Sequence, residues 1–295
     1  MVTARVGFRV DISVQTSMPQ QLLAVTPPRI YCIPATDAPI VAVFRRGPSV
    51  WSHVGRWDLD SRTYESGAWL RGRIFPRRSD LSPDGRFLSY FAHKPTADWE
   101  HGEAYVAVSK LPWLTALHAF ATCGTWTRGY YFTADGNSES PDGAKLPIPY
   151  GLCSIPVAQF ANERRRGWQE APDSPPRPPD DHWDERRNAR MRKPQPSGPL
   201  TLCVESLGWA GGEFGAAQAV DGLRVRYSLE SSDDLTVLDD LQWADWDADG
   251  LLIAATRSGR LQVRDLASNS KLVFDQDLAA LEPNPQAAPA QAQRW

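Results

Sequence analysis

Apolar and polar positions recur with strand rather than helix periodicity along most of the chain. Residues 38–94 show this best. Within them, 39–44 form a short continuous apolar, β-branched run. Residues 49–59 carry aromatic and aliphatic side chains at nearly alternate positions and end on Trp57-Asp58, and 86–92 form a further apolar run. These are the marks of extended chain, with the continuous runs fitting strands covered on both faces. Between them lies Ser82-Pro83-Asp84-Gly85, where proline presets φ and glycine accepts a positive φ, so a tight turn is expected.

In chain order, residues 3–14 put Val6, Phe8, Val10, Ile12 and Val14 on one face, as a half-buried strand does. In a ring-like fold this stretch is expected to close the last sheet. Runs 29–33, 39–44, 51–59 and 63–65 make four strands with short links, and 87–92 and 104–109 belong to a second set. Near the C-terminus, 241–246, 251–256, 260–266 and 271–274 form a complete four-strand unit. Residues 80–88 line up with 245–253 at an offset of 165, both ending in an Asp-Gly turn before an apolar strand, and Trp57-Asp58-Leu59 lines up with Arg264-Asp265-Leu266. A recurring hairpin unit marks a repeat architecture. Residues 131–136 contain a weaker copy of the turn. Residues 111–122, opened by Pro112, space Leu114, Leu117, His118 and Ala121 for one short helix.

Two segments break the pattern. Residues 163–198 hold 7 Pro, 9 Lys or Arg and 7 Asp or Glu in 36 positions, a composition expected to leave a mobile, disordered insertion. Residues 282–295, rich in Pro, Ala and Gln, read as a disordered tail, which leaves 1–281 as one interrupted domain.

Composition agrees with sheet. The 12 Trp and 25 Pro, against 3 Met, favour a sandwich, barrel or propeller. The net charge of −3 gives no global pull toward nucleic acid or anionic membrane. Cys32, Cys123, Cys153 and Cys203 are too scattered for a zinc ribbon or a disulfide framework and read as reduced core thiols. Arg5, Arg9 and Asp11 interrupt the N-terminal apolar runs, and no stretch approaches the about 20 apolar residues of a membrane span, so the expectation is a cytoplasmic protein that makes no use of a membrane.

The Ser-Pro-Asp-Gly turn before an apolar strand, and Arg264-Asp265-Leu266 at the end of a third strand, resemble the repeats of WD-type and TolB-type β-propellers. The run Phe44-Arg45-Arg46-Gly47-Pro48-Ser49, with Arg77-Arg78-Ser79-Asp80, also looks like bacterial proteins of this sort. The resemblance implies an all-β, propeller-like arrangement of four-stranded antiparallel sheets. It implies no activity, because such folds carry enzymes, scaffolds and binding modules alike.

Four places can carry chemistry. From 45 to 86 there are nine arginines, Arg45, Arg46, Arg77 and Arg78 among them, against five acids, with Trp51, Trp57 and Trp69 interleaved. Guanidinium groups favour planar anions and stack on aromatic rings, so this patch suits an anion, a nucleic acid or an acidic protein, although Arg-Asp pairing between neighbouring strands also accounts for such a pattern. His93, His101 and Glu103, with Asp98 and Glu100, are metal-ligand types in a loop whose spacing fixes no geometry. Residues 208–215 lack the βαβ setting and the lysine of a phosphate loop and read as a loop presenting Trp209 and Phe214. The insertion offers Trp168 and Trp183 as anchors for a partner.

With no catalytic constellation legible, no cofactor is expected and the sequence favours a non-catalytic interaction module in a bacterial multiprotein assembly. Polyanion or nucleic-acid binding through 45–86 stands second. A hydrolase or lyase using Asp58, Asp84, Asp245 and Asp249 around a central channel stands third.

Overall fold

The computed structural model describes residues 27–47, 50–94, 102–134, 140–155, 159–179, 184, 186–209, 220–232, 234–268 and 270–295. Among the described residues, twenty strands form five antiparallel sheets. The first contains β1 (Arg29–Pro34), β2 (Ile40–Arg46), β3 (Trp51–Asp58) and β4 (Thr63–Arg71) in that order. The second contains β5 (Arg73–Ile74) and β6 (Asp80–Leu81), both paired with β7 (Phe87–His93), then β8 (Ala104–Lys110) and β9 (His118–Ala121). The third is the pair β10 (Tyr130–Thr133) and β11 (Gly151–Ser154). The fourth runs β12 (Gln169–Glu170), β13 (Arg190–Pro194), β14 (Thr201–Trp209), β15 (Leu223–Glu230) and β16 (Leu235–Val237). The fifth runs β17 (Leu241–Trp246), β18 (Leu252–Thr256), β19 (Arg260–Asp265) and β20 (Lys271–Asp277). One short helix, α1 (Ala161–Arg165), lies between the third and fourth sheets. The architecture is therefore all-β and propeller-like, a succession of antiparallel meanders.

Three apolar clusters join the sheets in turn. Phe75, Phe91, Val106, Phe132 and Leu152 pack the second sheet on the third. Met191, Leu202, Val204, Tyr227, Leu241, Trp246 and Leu252 pack the fourth on the fifth. Ile30, Val41, Trp57, Leu88, Trp243, Ile253 and Leu261 tie the first, second and fifth together. The fifth sheet thus meets the first. Gln242 fastens that junction: its Oε1 accepts from Ile30 N at 3.0 Å, and its Nε2 donates to the carbonyls of Pro28 and Thr256. Strands between neighbouring sheets are buried along their whole length, as in Leu241–Trp246, whereas the outer Arg260–Asp265 alternates. That difference is the reason continuous and alternating apolar runs coexist in this sequence.

The repeat read from sequence has a structural counterpart. The turn between β6 and β7 and the turn between β17 and β18 join an inner strand to the second strand of its sheet, with Gly85 and Gly250 at φ +71° and +81°. The loop is one residue shorter in the fifth sheet, where Trp246 faces Leu252, than in the second, where Leu81 faces Leu88. Two residues before each turn sits a buried aspartate: Asp80 meets Arg166 at 2.7 Å and Asp245 meets Lys193 at 2.7 Å. Asp58 and Asp265 close the third strands of their sheets and accept backbone N–H groups of the following turns. A Cβ at Gly85 would lie 2.6 Å from that of Ile40, whereas one at Gly143, also at positive φ, would meet nothing within 4 Å. Gly85→Ala is expected to cost about 2–3 kcal/mol and Gly143→Ala about 1; urea titration of both variants measures the difference.

Several expectations change. Residues 111–122 form no helix. Leu111 and Pro112 make a turn that brings the Pro112 carbonyl to Ala68 N, and 118–121 pair with β8 as β9. Edge pairing satisfies that backbone better than one isolated helical turn does. Much of 163–198 belongs to the fold rather than to a mobile insertion, supplying part of α1 together with β12 and β13. Several of its charges are neutralised by pairing, as in Arg186 with Asp184 and Glu170, and Trp168 and Met191 are 3% and 1% exposed. Trp168 is therefore a core residue and not a surface anchor. The tail 282–295 packs back on the second sheet, with Lys110 Nζ donating to the Gln291 carbonyl and the Trp295 ring 6.1 Å from Phe87. Cys32 and Cys203 are buried, and burial raises both thiols, whereas Cys123 and Cys153 are exposed rather than core residues. Residues 3–14, Trp183, Phe214 and the end of the 131–136 turn lie outside the described residues. Among those described, no helix is long and apolar enough to cross a membrane.

Candidate functional site

Antiparallel register creates the site. Because β1 and β2 pair from Pro34↔Val41 back to Arg29↔Arg46, the arginine that opens β1 stands opposite the one that closes β2. The bulged strand β4 ends at Arg71, and the chain turns through Gly72 to put Arg73 at the start of β5. The 3₁₀ turn Pro76–Arg78 then adds Arg77 and Arg78. From the fourth sheet, Asp221 enters just before β15 with φ +54°. Its Oδ1 is 3.7 Å from Arg73 Nη2, and its Oδ2 accepts from Arg77 N at 2.9 Å.

Arg29, Arg46 and Arg73 thus share one carboxylate across a small cavity also walled by Tyr31, Phe44, Ile74 and Pro76. The electrostatic imbalance shows in the arginines. Burial, then Arg73 and Arg29, pulls the Arg46 guanidinium down to about 10, and Arg29 is lowered by burial and by Arg73. Two Arg46 donors, Nε and Nη1, are buried without a hydrogen-bond partner. Desolvated guanidinium groups crowded in this way have the chemistry to donate hydrogen bonds to a negatively charged acceptor such as a carboxylate.

Arg77 and Arg78 border a second cavity beside the first. Arg77 lies 4.8 Å over the Tyr31 ring and 3.3 Å from Glu163 Oε1, which also accepts from the Tyr31 hydroxyl at 3.1 Å. Burial lowers Arg77, and Tyr31 with Glu163 more than offsets it, so its affinity for the proton rises. Arg78 donates to the carbonyls of Thr125 and Thr127 and stacks 4.9 Å from Phe75.

The other sequence candidates separate. Arg45 donates to the Leu278 and Ala279 carbonyls and fastens the chain after β20. Trp69 stacks at 4.4 Å on His53, an internal contact. Trp51 is half-buried on β3, and Trp209 is half-buried at the end of β14 beside the second cavity. Arg56 pairs with Asp58, and Arg86 lies loosely by Asp84. His93 is 3.8 Å from Glu103, while His101, Asp98 and Glu100 lie outside the described residues. Among described residues, no group of three or more His, Cys, Asp or Glu side chains is placed to hold a metal. Asp58 and Asp84 accept backbone N–H groups of their own turns, Asp249 N donates to Asp247, and Asp245 is held by Lys193; of the four, Asp245 and Asp249 line one cavity, and Asp58 and Asp84 do not.

The sequence reading missed Arg29 and Asp221. Pairing residues 29–33 with 39–44 back to back already places position 29 beside 45–46, a signal available from spacing. Asp221 carries no such signal.

No family model matches the chain, and no curated protein matches it. Three solved structures resemble its course at low identity. The mitotic checkpoint complex matches with 13% identity, 95% of this chain and 76% of that one covered, and a TM-score of 0.25. A protein described as a candidate 6-phosphogluconolactonase from Bacteroides fragilis matches with 12% identity, coverage of 85% and 95%, and a TM-score of 0.35. Saccharomyces cerevisiae Sqt1 matches with 11% identity, coverage of 87% and 76%, and a TM-score of 0.25. No function follows from likeness at this level.

Proposed function

We propose that this chain is a non-catalytic protein-interaction module of a cytoplasmic multiprotein assembly, and that it docks an acidic segment of a partner protein at Arg29, Arg46 and Arg73. The observation that carries this reading is the charge imbalance among the described residues: Arg29, Arg45, Arg46 and Arg73 line the cavity with one carboxylate, Asp221, and Arg46 keeps two buried donors without partners. A carboxylate side chain entering the cavity supplies both the missing charge and the missing acceptors, in an apolar-walled setting where such hydrogen bonds are strong.

The geometry favours this over a nucleic-acid groove. A phosphate backbone needs a continuous basic track, whereas the arginines of residues 45–86 diverge, with Arg45, Arg56 and Arg78 each engaged elsewhere. The purified full chain is expected to bind a fluorescent Glu/Asp-rich peptide, with Arg46→Gln weakening it about tenfold, the loss of one charge-assisted contact. Raising salt from about 50 to about 200 mM is expected to cost no more than about ten- to fortyfold, because only two or three charges are neutralised. Failure to bind the peptide, or preference for a single-stranded oligonucleotide with a steep salt slope, overturns the reading.

A further inference from the structure

The second cavity, distinct from the arginine-lined one, collects polar groups that the fold leaves half-used. Gln159 Nε2 donates to the Arg186 carbonyl at 2.8 Å. Asn162 Nδ2 donates to the Ser79 carbonyl at 3.2 Å. Glu163 Oε1 accepts from Tyr31 and Arg77, and Arg77 Nη1 is spent on that bond. Each side chain is thereby fixed by one end. The opposite ends, Gln159 Oε1, Asn162 Oδ1, Glu163 Oε2 and Arg77 Nε, are buried and have no partner, and neither has Trp209 Nε1. All five residues line this one cavity of about 70 Å³.

The amide orientations follow from chemistry, since only an NH₂ group can donate to the carbonyls of Arg186 and Ser79. The free ends of Gln159 and Asn162 are therefore acceptors. Gln159, Asn162 and Glu163 are 2%, 3% and 6% exposed, so open solvent does not satisfy them. Buried polar groups are ordinarily paired, and five exceptions around one space describe a missing hydrogen-bonding partner. Three of them come from the short segment 159–163, in which Phe160 has φ +61°, a conformation a bulky residue adopts only when its surroundings impose it.

The set specifies the ligand. The charged lining is Arg77, Arg78 and Arg128 against Glu163 and Asp221, an excess of only one cation, and Arg77 is paired with Glu163, so no strongly charged ligand is called for. Three acceptors and two donors within so small a space require a molecule that donates and accepts at several neighbouring atoms. Vicinal hydroxyls do so most densely, because each carries one donor and two acceptor positions. We infer that the cavity beside Trp209 is a binding site for a small neutral polyol, of glycerol size or one hydroxyl-bearing edge of a sugar ring, held by Gln159, Asn162, Glu163 and Arg77.

Glycerol and glucose, each titrated into the full-length protein, test this by heteronuclear NMR, with 1-propanol and inorganic phosphate as controls. The expected result is saturable millimolar binding of at least one polyol, none of either control, and shifts that include the Trp209 indole N–H. Gln159→Leu is expected to weaken binding about five- to tenfold, the value of one neutral hydrogen bond. Trp209→Phe, which removes the indole donor and keeps an aromatic ring, is expected to weaken it by a similar factor. Arg86→Gln, at an exposed turn, leaves it unchanged. Unaltered thermal unfolding of the variants shows that the fold is intact, and should Gln159→Leu unfold, Trp209→Phe alone decides. No saturable response up to about 100 mM, far above the millimolar range of weak ligands, means that ordered water fills the space and overturns the proposal. Equal binding in both variants, or tighter binding of phosphate, overturns it too.

Discussion

Replacing Asp80 by alanine is expected to destabilise the protein by about 3–5 kcal/mol, lowering the melting temperature by on the order of 10 °C. The carboxylate is fully buried, and every bond it makes ties a different part of the chain to the inner edge of the second sheet. Oδ1 accepts from Arg166 at 2.7 Å, while Oδ2 accepts from Phe132 N at 2.9 Å and lies 3.5 Å from Arg165. The Arg166 side chain is only 6% exposed and also donates to the Pro34 carbonyl, so removing Asp80 strands a buried cation together with an unsatisfied backbone N–H. The stranded charge, rather than the lost attraction, sets the size of the effect. Asp80→Ala with Arg166→Met is therefore expected to recover much of the loss. Differential scanning calorimetry of the parent, single and double variants measures this, and strictly additive losses would refute the account.

Acidification should produce an effect of similar size in the first sheet. His53 is fully buried on β3, with Nδ1 facing the Ala68 carbonyl at 3.0 Å, Nε2 beside the hydroxyls of Tyr64 and Ser66, and its ring stacked on Trp69. Burial lowers it to about 4; the Ala68 carbonyl resists that shift and Arg45 reinforces it. The unfolded chain takes up the proton near pH 6.5 while the native imidazole stays neutral, so stability falls as pH drops from about 6.5 to about 4 and is unaffected by this group above that window. Over the whole interval the loss attributable to His53 approaches about 3 kcal/mol. Asp58 and Asp275, whose hydrogen bonds hold them below the ordinary carboxylate range, add further losses toward lower pH. Comparing His53→Gln with the parent isolates the histidine. Chemical denaturation at pH 7.5, 5.5 and 4 is expected to show the parent losing stability faster than the variant, and parallel profiles would contradict the assignment.

The arginine cavity and the polar cavity lie on either side of Tyr31 and Asp221, which line both. Their chemistries nevertheless differ. The first has four arginines to one carboxylate and few free acceptors, whereas the second has three arginines to two carboxylates and is rich in half-used hydrogen-bonding groups. An acidic protein segment and a small polyol can therefore be tested independently, with Arg46 and Gln159 as the separate handles.

By itself the sequence determined the strands whose apolar pattern is strong and local. The four strands of the first sheet, the four of the fifth and the two equivalent Asp-Gly turns all follow from period-2 or continuous apolar runs bounded by residues with a defined turn geometry. It also determined that Arg46, Arg77 and Arg78 belong to an unusually basic stretch. Only the tertiary structure decided which of these arginines face one another, because that depends on the β1–β2 register and on Asp221, which comes from the turn before β15, 144 residues beyond Arg77. The same holds for residues 163–198. Their composition is that of a chain unable to bury itself, yet Arg166, Arg186 and Lys193 each find a carboxylate, and for the first and last of these it lies on another sheet. Local pattern reports how a segment prefers to extend or turn; whether a charge ends in water, in a pair or in a receptor for a ligand is settled by which distant side chains the packed sheets bring within about 3–4 Å of it.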